Sequence, residues 1–250
     1  MNKLILMTGS NESYLPKIDR YLSSIDENSN FDENYLCFLS EDINKKIDIK
    51  YDKIKTTYVD IKSLSSLTEI NCVQHGEFLK SSDIKDIKDN DIIFFTDGDI
   101  FLQRNLTDLE IDKFRQIKDN DIYVGYNASR NDTLLDEYNR LSPNGNDLDF
   151  INLDLSKYKV YNTGVLAMNK STWVKVCSEY IDKFDDVNNK FGHYAKQQWL
   201  LSYIFIDYNV IEMDYDIHNH NIYGMVTGTT YENNYVFYEK NKCLFRHKHF

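Results

Sequence analysis

An α/β domain with a mixed, mostly parallel sheet flanked by helices is the fold class this sequence predicts, and three observations predict it. Short apolar runs alternate with amphipathic segments through the first hundred residues and become irregular afterwards. Two of those runs, at 3–7 and 91–95, end in small polar turns, Thr8-Gly9-Ser10 and Asp97-Gly98-Asp99. No internal repeat and no Pro/Gly-rich linker divides the chain: it has 250 residues with only 9 Gly and 2 Pro, which suits a single domain over 1–250.

The elements follow in order. Residues 3–7 read as a buried first strand with a loop after it. Ser13 is positioned to cap a helix whose apolar face is Tyr14, Leu15, Ile18, Tyr21, Leu22 and Ile25, with Pro16 tolerated in its first turn. Strands are predicted at 35–39 and 56–61, a helix at 64–79, and the strongest strand of the chain at 91–95. A further strand at 122–126 precedes a polar stretch, 128–157, with a turn at Pro143-Asn144-Gly145-Asn146. Residues 160–168 look like a strand interrupted by Asn162-Thr163-Gly164. Ser171 then caps a helix to about residue 184. An apolar helix at 194–206 and short strands at 210–213 and 243–246 complete the chain.

Composition narrows the function. With 42% hydrophobic and 28% charged residues, the chain can bury a sizeable core. The formal net charge is −11, and the one short basic stretch is at 240–249, so a duplex nucleic-acid binder is disfavoured. An acidic protein that binds an acidic ligand needs local positive charge, and a divalent cation supplies it. The four cysteines, at 37, 72, 177 and 243, have no CxxC spacing and read as free thiols of a reducing compartment. The first residues lack a signal-peptide core and no run approaches the ~20 apolar residues of a membrane span, so the expected location is cytoplasmic, free or peripheral to a membrane.

Chemistry is concentrated at Asp97-Gly98-Asp99. On an extended chain, residues two apart share a face, which lets both carboxylates converge on one ion, while Gly98 leaves room for a ligand near the backbone. Hard oxygen ligands select Mn²⁺ or Mg²⁺. A polar turn at a strand end has the same sequence, so the motif alone is ambiguous. An EF-hand counted from Asp97 fails, because Phe101 and Leu102 stand where an oxygen ligand and a glycine are required. A phosphatase of the haloacid-dehalogenase type also carries Asp-x-Asp after a strand and stays open as an alternative, although Phe101 is bulkier than its usual residue there. Ligands of open α/β sheets bind beyond the carboxyl ends of strands, which places residues 8–10 and 97–99 at one site. No Walker A, Gly-x-Gly-x-x-Gly or Gly-x-Ser-x-Gly segment is present. His218 and His220 alternate as metal ligands can, but such a polar segment is more often a solvated loop; His75 and His193 read as structural.

Four segments together resemble a known group. DIIFFTDGDIFLQRNLTDL (91–109), YNTGVLAMNKSTW (161–173), KQQWLLSYI (196–204) and LFRHKHF (244–250) are similar, in order and rough spacing, to the motifs of GT-A fold nucleotide-sugar glycosyltransferases, especially glycosyltransferase family 8. The resemblance implies a Rossmann-like GT-A domain with a nucleotide-sugar-binding half at 1–110 and an acceptor-side half at 111–250. It implies a hexosyltransferase that moves sugar from a UDP-sugar to an acceptor hydroxyl, on a glycan, lipid or protein, with retention of configuration. Asp97, Asp99 and His247 would be metal ligands, with His249 the competitor of His247. Thr8, Gly9, Ser10, Asn11 and Tyr14 would sit near the nucleobase and ribose, with Asp97 and Gly98 beside them. Tyr14 reads equally well as a core aromatic. Asn162, Gly164, Gln197, Gln198 and Asn219 would line the donor sugar, Asn162 and Gln198 acting in catalysis. Lys248, Arg246 or Lys170 would add positive charge beside the diphosphate. The chain departs from the family at Gln197, where Asp is usual, after His247, where the late Gly-Lys-Pro-Trp is missing, and before the Asp-x-Asp strand, where only Lys80 offers a basic residue. A nucleotidyltransferase using the same Asp-x-Asp and a non-catalytic nucleotide- or carbohydrate-binding protein of the same fold are the remaining alternatives.

Overall fold

The first apolar run becomes strand β1 (Leu4–Asn11) in the computed structural model. The structure describes the chain apart from residues 13, 41, 43, 45, 61–85, 126–131, 142–152, 189–195, 220–227, 233–234 and 248–250. β1 runs through Thr8-Gly9-Ser10, where the sequence suggested a loop, because strand β2 (Glu33–Ser40) pairs with it as far as Asn11↔Leu39. Between them lies helix α1 (Leu15–Asn28), with Ile18, Tyr21, Leu22 and Ile25 buried at helical spacing. Its N-cap, Tyr14, makes no side-chain cap bond; Asn11 instead accepts the Tyr14 N–H through both its backbone and side-chain oxygens. A missing cap costs about 1 kcal/mol. Four buried side chains, at roughly 1.5–3 kcal/mol each, outweigh that several-fold, so packing holds this helix.

Strands β3 (Lys55–Asp60) and β4 (Ile92–Thr96) follow, then the short β5 (Ile100–Leu102), helix α2 (Asp108–Phe114) and β6 (Asp121–Gly125). The predicted helix at 64–79, Lys80, Cys72, His75 and the Ser13 cap lie outside the described residues. So does the Pro143 turn. The polar stretch 128–157 contains helix α3 (Leu134–Leu141) and a 3₁₀ turn at Leu155–Lys157 that the sequence reading did not anticipate. Strand β7 (Asn162–Asn169) is continuous through Asn162-Thr163-Gly164, not interrupted there, and is buried along its whole length. Helix α4 (Lys170–Asn188) is capped by Asn169, whose side-chain oxygen accepts the Thr172 N–H; Ser171 bonds Asp119 instead. Helix α5 (Lys196–Ile204) and strand β8 (Asn209–Glu212) complete the main sheet's elements. A tail of short strands follows: β9 (His218–Asn219), β10 (Thr229–Glu232), β11 (Tyr235–Tyr238), β12 (Asn241–Lys242) and β13 (Phe245–His247).

The seven-stranded sheet has the order β3-β2-β1-β4-β7-β6-β8. All its pairings are parallel except the two made by β7, which therefore runs against the other six strands. Successive residues of β1 and β4 feed opposite faces, and both faces are covered. Ile5, Met7, Ile93 and Phe95 join Trp173, Tyr180 and Trp199 under α4 and α5. Leu4, Leu6, Ile92 and Phe94 join Tyr21, Leu22, Phe114 and Phe245 on the α1 side. Two buried faces explain why these strands read as unbroken apolar runs rather than alternating ones.

The end of the sheet where β2 begins, opposite the end where β4 finishes, holds a charged cluster at Glu33. Burial alone would raise its carboxyl, but the Lys3 ammonium, the Tyr35 hydroxyl and Lys55 at 2.9 Å hold it down to about 2. A folded pKa below the unfolded value of roughly 4.3 means the stabilisation is complete above that value and lost as pH falls toward 2. Glu33→Gln should therefore melt below the wild type at pH 7, and the two melting curves should converge between about pH 4 and pH 2; a gap that stayed constant across that range would show that charge is not what Glu33 contributes.

Candidate active site at the strand ends

Asp97 follows β4 directly, and the Ile100 N–H closes a four-residue turn on the Asp97 carbonyl at 3.1 Å. Asp97, Gly98 and Asp99 are half-buried in this turn. The segment is thus folded back and not extended as the sequence reading assumed, because β5 must reverse to reach the tail strand β13. Gly98 serves this packing: a Cβ there would stand 2.7 Å from Ile18 Cγ2, so the close approach is made by α1.

Backbone pairings gather the other sequence-singled segments around this turn. The Asp97 N–H donates to the Gly164 carbonyl at 2.9 Å, and the Gly164 N–H donates to Asn162 Oδ1 at 3.0 Å. Since β7 is antiparallel, its first residues lie beside the end of β4, and Asn162 is buried there beside Gly125. β13 pairs antiparallel with β5 in the register His247↔Ile100, which places the His247 backbone beside the residue that follows Asp99. β9 pairs with β13 through Asn219↔Arg246. Residues 8–11 end β1, the neighbour of β4: Thr8 and Ser10 are buried, Gly9 and Asn11 half-buried. Thr8 donates its hydroxyl to the Thr96 carbonyl at 2.9 Å, and Ser10 to the Asn11 carbonyl at 3.2 Å. Tyr14 is 46% exposed, so it is not the core aromatic considered as its alternative. Gln197 and Gln198 are half-buried in the first turn of α5. Ser202 donates to the Gln198 carbonyl at 2.7 Å and accepts the Tyr161 N–H at 3.0 Å, which ties that helix to the residue before Asn162.

Other expectations do not hold or lie elsewhere. Lys170 follows Asn169, which pairs with Ile92 at the start of β4, and its ammonium donates to the Ile87 carbonyl at 2.9 Å. It therefore stands at the opposite end of β4 from Asp97 and cannot lie beside a diphosphate there. His218 is fully buried, not part of a solvated loop; its imidazole lies over Gly125, where an added Cβ would come 2.3 Å from Nδ1. Arg246 is half-buried beside Phe101. Lys248, His249, His193 and His220 lie outside the described residues. Cys37, Cys177 and Cys243 are buried free thiols, and burial, ahead of the nearby Asp216 carboxylate, pushes Cys243 up to about 12.

One group at this turn has no signal in the sequence. Tyr21 looks like one more apolar position of α1, yet its buried hydroxyl bonds the Thr96 hydroxyl, one residue from Asp97. Burial first, with the Asp97 carboxylate adding to it against the hydrogen bonds from Thr96 and Thr8, raises its pKa and keeps it neutral. Among the described residues no three His, Cys, Asp or Glu side chains converge as a metal cluster. Asp97 and Asp99 supply two carboxylates within one turn, fewer than the roughly six or more oxygen ligands a hard cation takes.

A six-to-one sheet with an Asp-x-Asp turn beyond its central strand is the arrangement of a GT-A, Rossmann-like domain. Comparison with solved structures bears this out. The chain superposes on the galactosyltransferase LgtC, solved with donor and acceptor sugar analogues, at a TM-score of 0.50 and 15% identity, over 85% of this chain and 74% of that one. It superposes on the glycosyltransferase GlyE of Streptococcus pneumoniae TIGR4 at a TM-score of 0.51 and 13% identity, over 86% of this chain but only 46% of that one. The likeness at such identity is one of fold. No family model and no curated protein matches the sequence. Among the described residues no helix is long and apolar enough to cross a membrane.

Proposed function

We propose that the protein is a metal-dependent hexosyltransferase that takes a nucleotide-sugar donor, a UDP-sugar, and passes the sugar to an acceptor hydroxyl with retention. The observation that carries this reading is the Asp97–Asp99 turn, bonded to Gly164 of β7 and lying one residue from the strand that ends in His247. Residues 1–110 hold the nucleotide: the end of β1, with Gly9, Asn11 and the exposed Tyr14, faces the nucleobase and ribose. Asp97, Asp99 and His247 hold Mn²⁺ or Mg²⁺, which when bound neutralises charge on the departing diphosphate. Residues 111–250 receive the acceptor. Asn162, Gly164 and Gln198 position the donor sugar at the antiparallel strand's start, beside Gln197 and Asn219. Retention rests on the resemblance to family 8, and a front-face substitution requires no protein nucleophile. A glycan, lipid or protein hydroxyl is the acceptor, and the buried free thiols suit a cytoplasmic setting.

Thermal melting with UDP, with Mn²⁺, and with both tests the reading. Stabilisation of several degrees is expected when both are present, against a much smaller shift with UDP alone; [L] near 100 Kd contributes about 2.7 kcal/mol, or roughly 5–10 °C at this chain length. No response to any nucleoside diphosphate with metal would remove the proposal. Slow hydrolysis of one UDP-sugar separates an enzyme from a binding protein of the same fold, and hydrolysis of a generic phosphate ester in its place would favour the phosphatase.

A further inference from the structure

Asp97 is held from three directions, and two of them come from α1. Thr96, just before it, shares its hydroxyl with Tyr21 and gives its carbonyl to the Thr8 hydroxyl at 2.9 Å. Asp97 itself donates its N–H to the Gly164 carbonyl at 2.9 Å. Gly98, just after it, packs its Cα under Ile18, so closely that a Cβ would lie 2.7 Å from Cγ2. Ile18 and Tyr21 are three residues apart and so share one face of α1. The helix therefore grips the chain on both sides of Asp97 with a single face.

We propose that Tyr21 is a positioning residue for the cation site: its hydroxyl, through Thr96, fixes the backbone from which the Asp97 carboxylate is presented. The inference rests on the reading of Asp97 and Asp99 as metal ligands. The logic is one of preorganisation. A carboxylate on a turn has two side-chain torsions, and a cation must immobilise them together with any freedom of the backbone beneath. The three-hydroxyl junction of Thr8, Thr96 and Tyr21 is completely buried, where hydrogen bonds are strong and an unmade one is costly. It removes the backbone freedom before the ligand arrives. The same junction joins the end of β1, the nucleotide side, to the end of β4, the metal side. Its loss should be felt as weaker metal affinity with nucleotide affinity in the absence of metal left alone.

Tyr21→Phe, Thr96→Val and Thr96→Ser test this, with Mn²⁺ titrated at a fixed UDP concentration and UDP titrated separately in EDTA. Supporting groups behind metal ligands typically contribute 10–100-fold, so the Mn²⁺ Kd is expected to rise about tenfold in Tyr21→Phe and Thr96→Val. Thr96→Ser keeps the hydroxyl and should stay within about twofold of the wild type, and UDP binding in EDTA should be unchanged in all three. An unaltered Mn²⁺ Kd in Tyr21→Phe, whatever its melting temperature, overturns the proposal. So does Thr96→Ser binding as weakly as Thr96→Val, because packing and not the hydroxyl would then be at work. Should Tyr21→Phe fail to fold, the two Thr96 variants decide alone. A wild type with no metal-dependent UDP binding overturns the functional reading itself, whereas normal wild-type binding with unaffected variants overturns only the role of Tyr21.

Discussion

Asp99→Asn is expected to abolish metal-dependent UDP binding and to lower UDP-sugar turnover on the order of a thousandfold, since the interaction of a divalent cation with a departing diphosphate is worth several kcal/mol. The amide has nearly the shape of the carboxylate, so the turn closed by the Ile100 N–H on the Asp97 carbonyl has no reason to open. What is lost is charge and one anionic oxygen donor, which hard cations require. Without ligand, Asp99→Asn is expected to stay folded. The pair of measurements separates the metal-site reading from the polar-turn reading. A turn that uses Asp99 only for structure would melt lower on substitution and would bind UDP with Mn²⁺ as before.

What the sequence reveals and what it hides divides along physical lines. β1, β2 and β4 are legible because both faces of the sheet are covered, which leaves continuous apolar runs. Strands β10 and β12 carry Thr, Glu, Asn and Lys and have no such run, and β11, Tyr-Val-Phe-Tyr, is only four residues long with its first Tyr exposed. Their docking depends on Gln103, a buried residue whose side chain donates to the Val236 and Cys243 carbonyls and accepts the Val236 N–H, a long-range arrangement with no local signature. Strand direction is hidden as well, and it decides the site. Were β7 parallel to its neighbours, residues 169–170 would stand at the edge that holds the Asp97 turn, and Lys170 would suit the diphosphate of the proposed donor. Because β7 is antiparallel, Asn162 and Gly164 occupy that edge and Lys170 the other. The Asp-x-Asp turn was legible as chemistry, but the Tyr21 hydroxyl was not, because a tyrosine on an apolar helix face looks like packing until its partner is known.

Gly125 joins the central sheet to the tail that ends in β13, and Gly125→Ala should damage both that packing and the proposed metal site. The added methyl would stand 2.3 Å from His218 Nδ1 and 2.8 Å from its Cε1, with the ring fully buried and no solvent to retreat into. Overpacking of this kind costs about 2–3 kcal/mol, or roughly 5–10 °C of melting temperature for a chain of this length. The ring's displacement has one direct route. His218 belongs to β9, which pairs with β13 at Phe245, and β13 continues to His247 beside Ile100. Metal-dependent UDP binding should therefore weaken in Gly125→Ala, even below its melting temperature, while Glu33→Gln at the other end of the sheet leaves it intact. His218→Ala opens the space the methyl needs, so the double variant should be more stable than the sum of the two single losses, with a coupling of about 1 kcal/mol or more. Strict additivity would mean that the imidazole yields freely, and that the tail's position over Gly125 is not what sets the approach of β13 to the Asp97 turn.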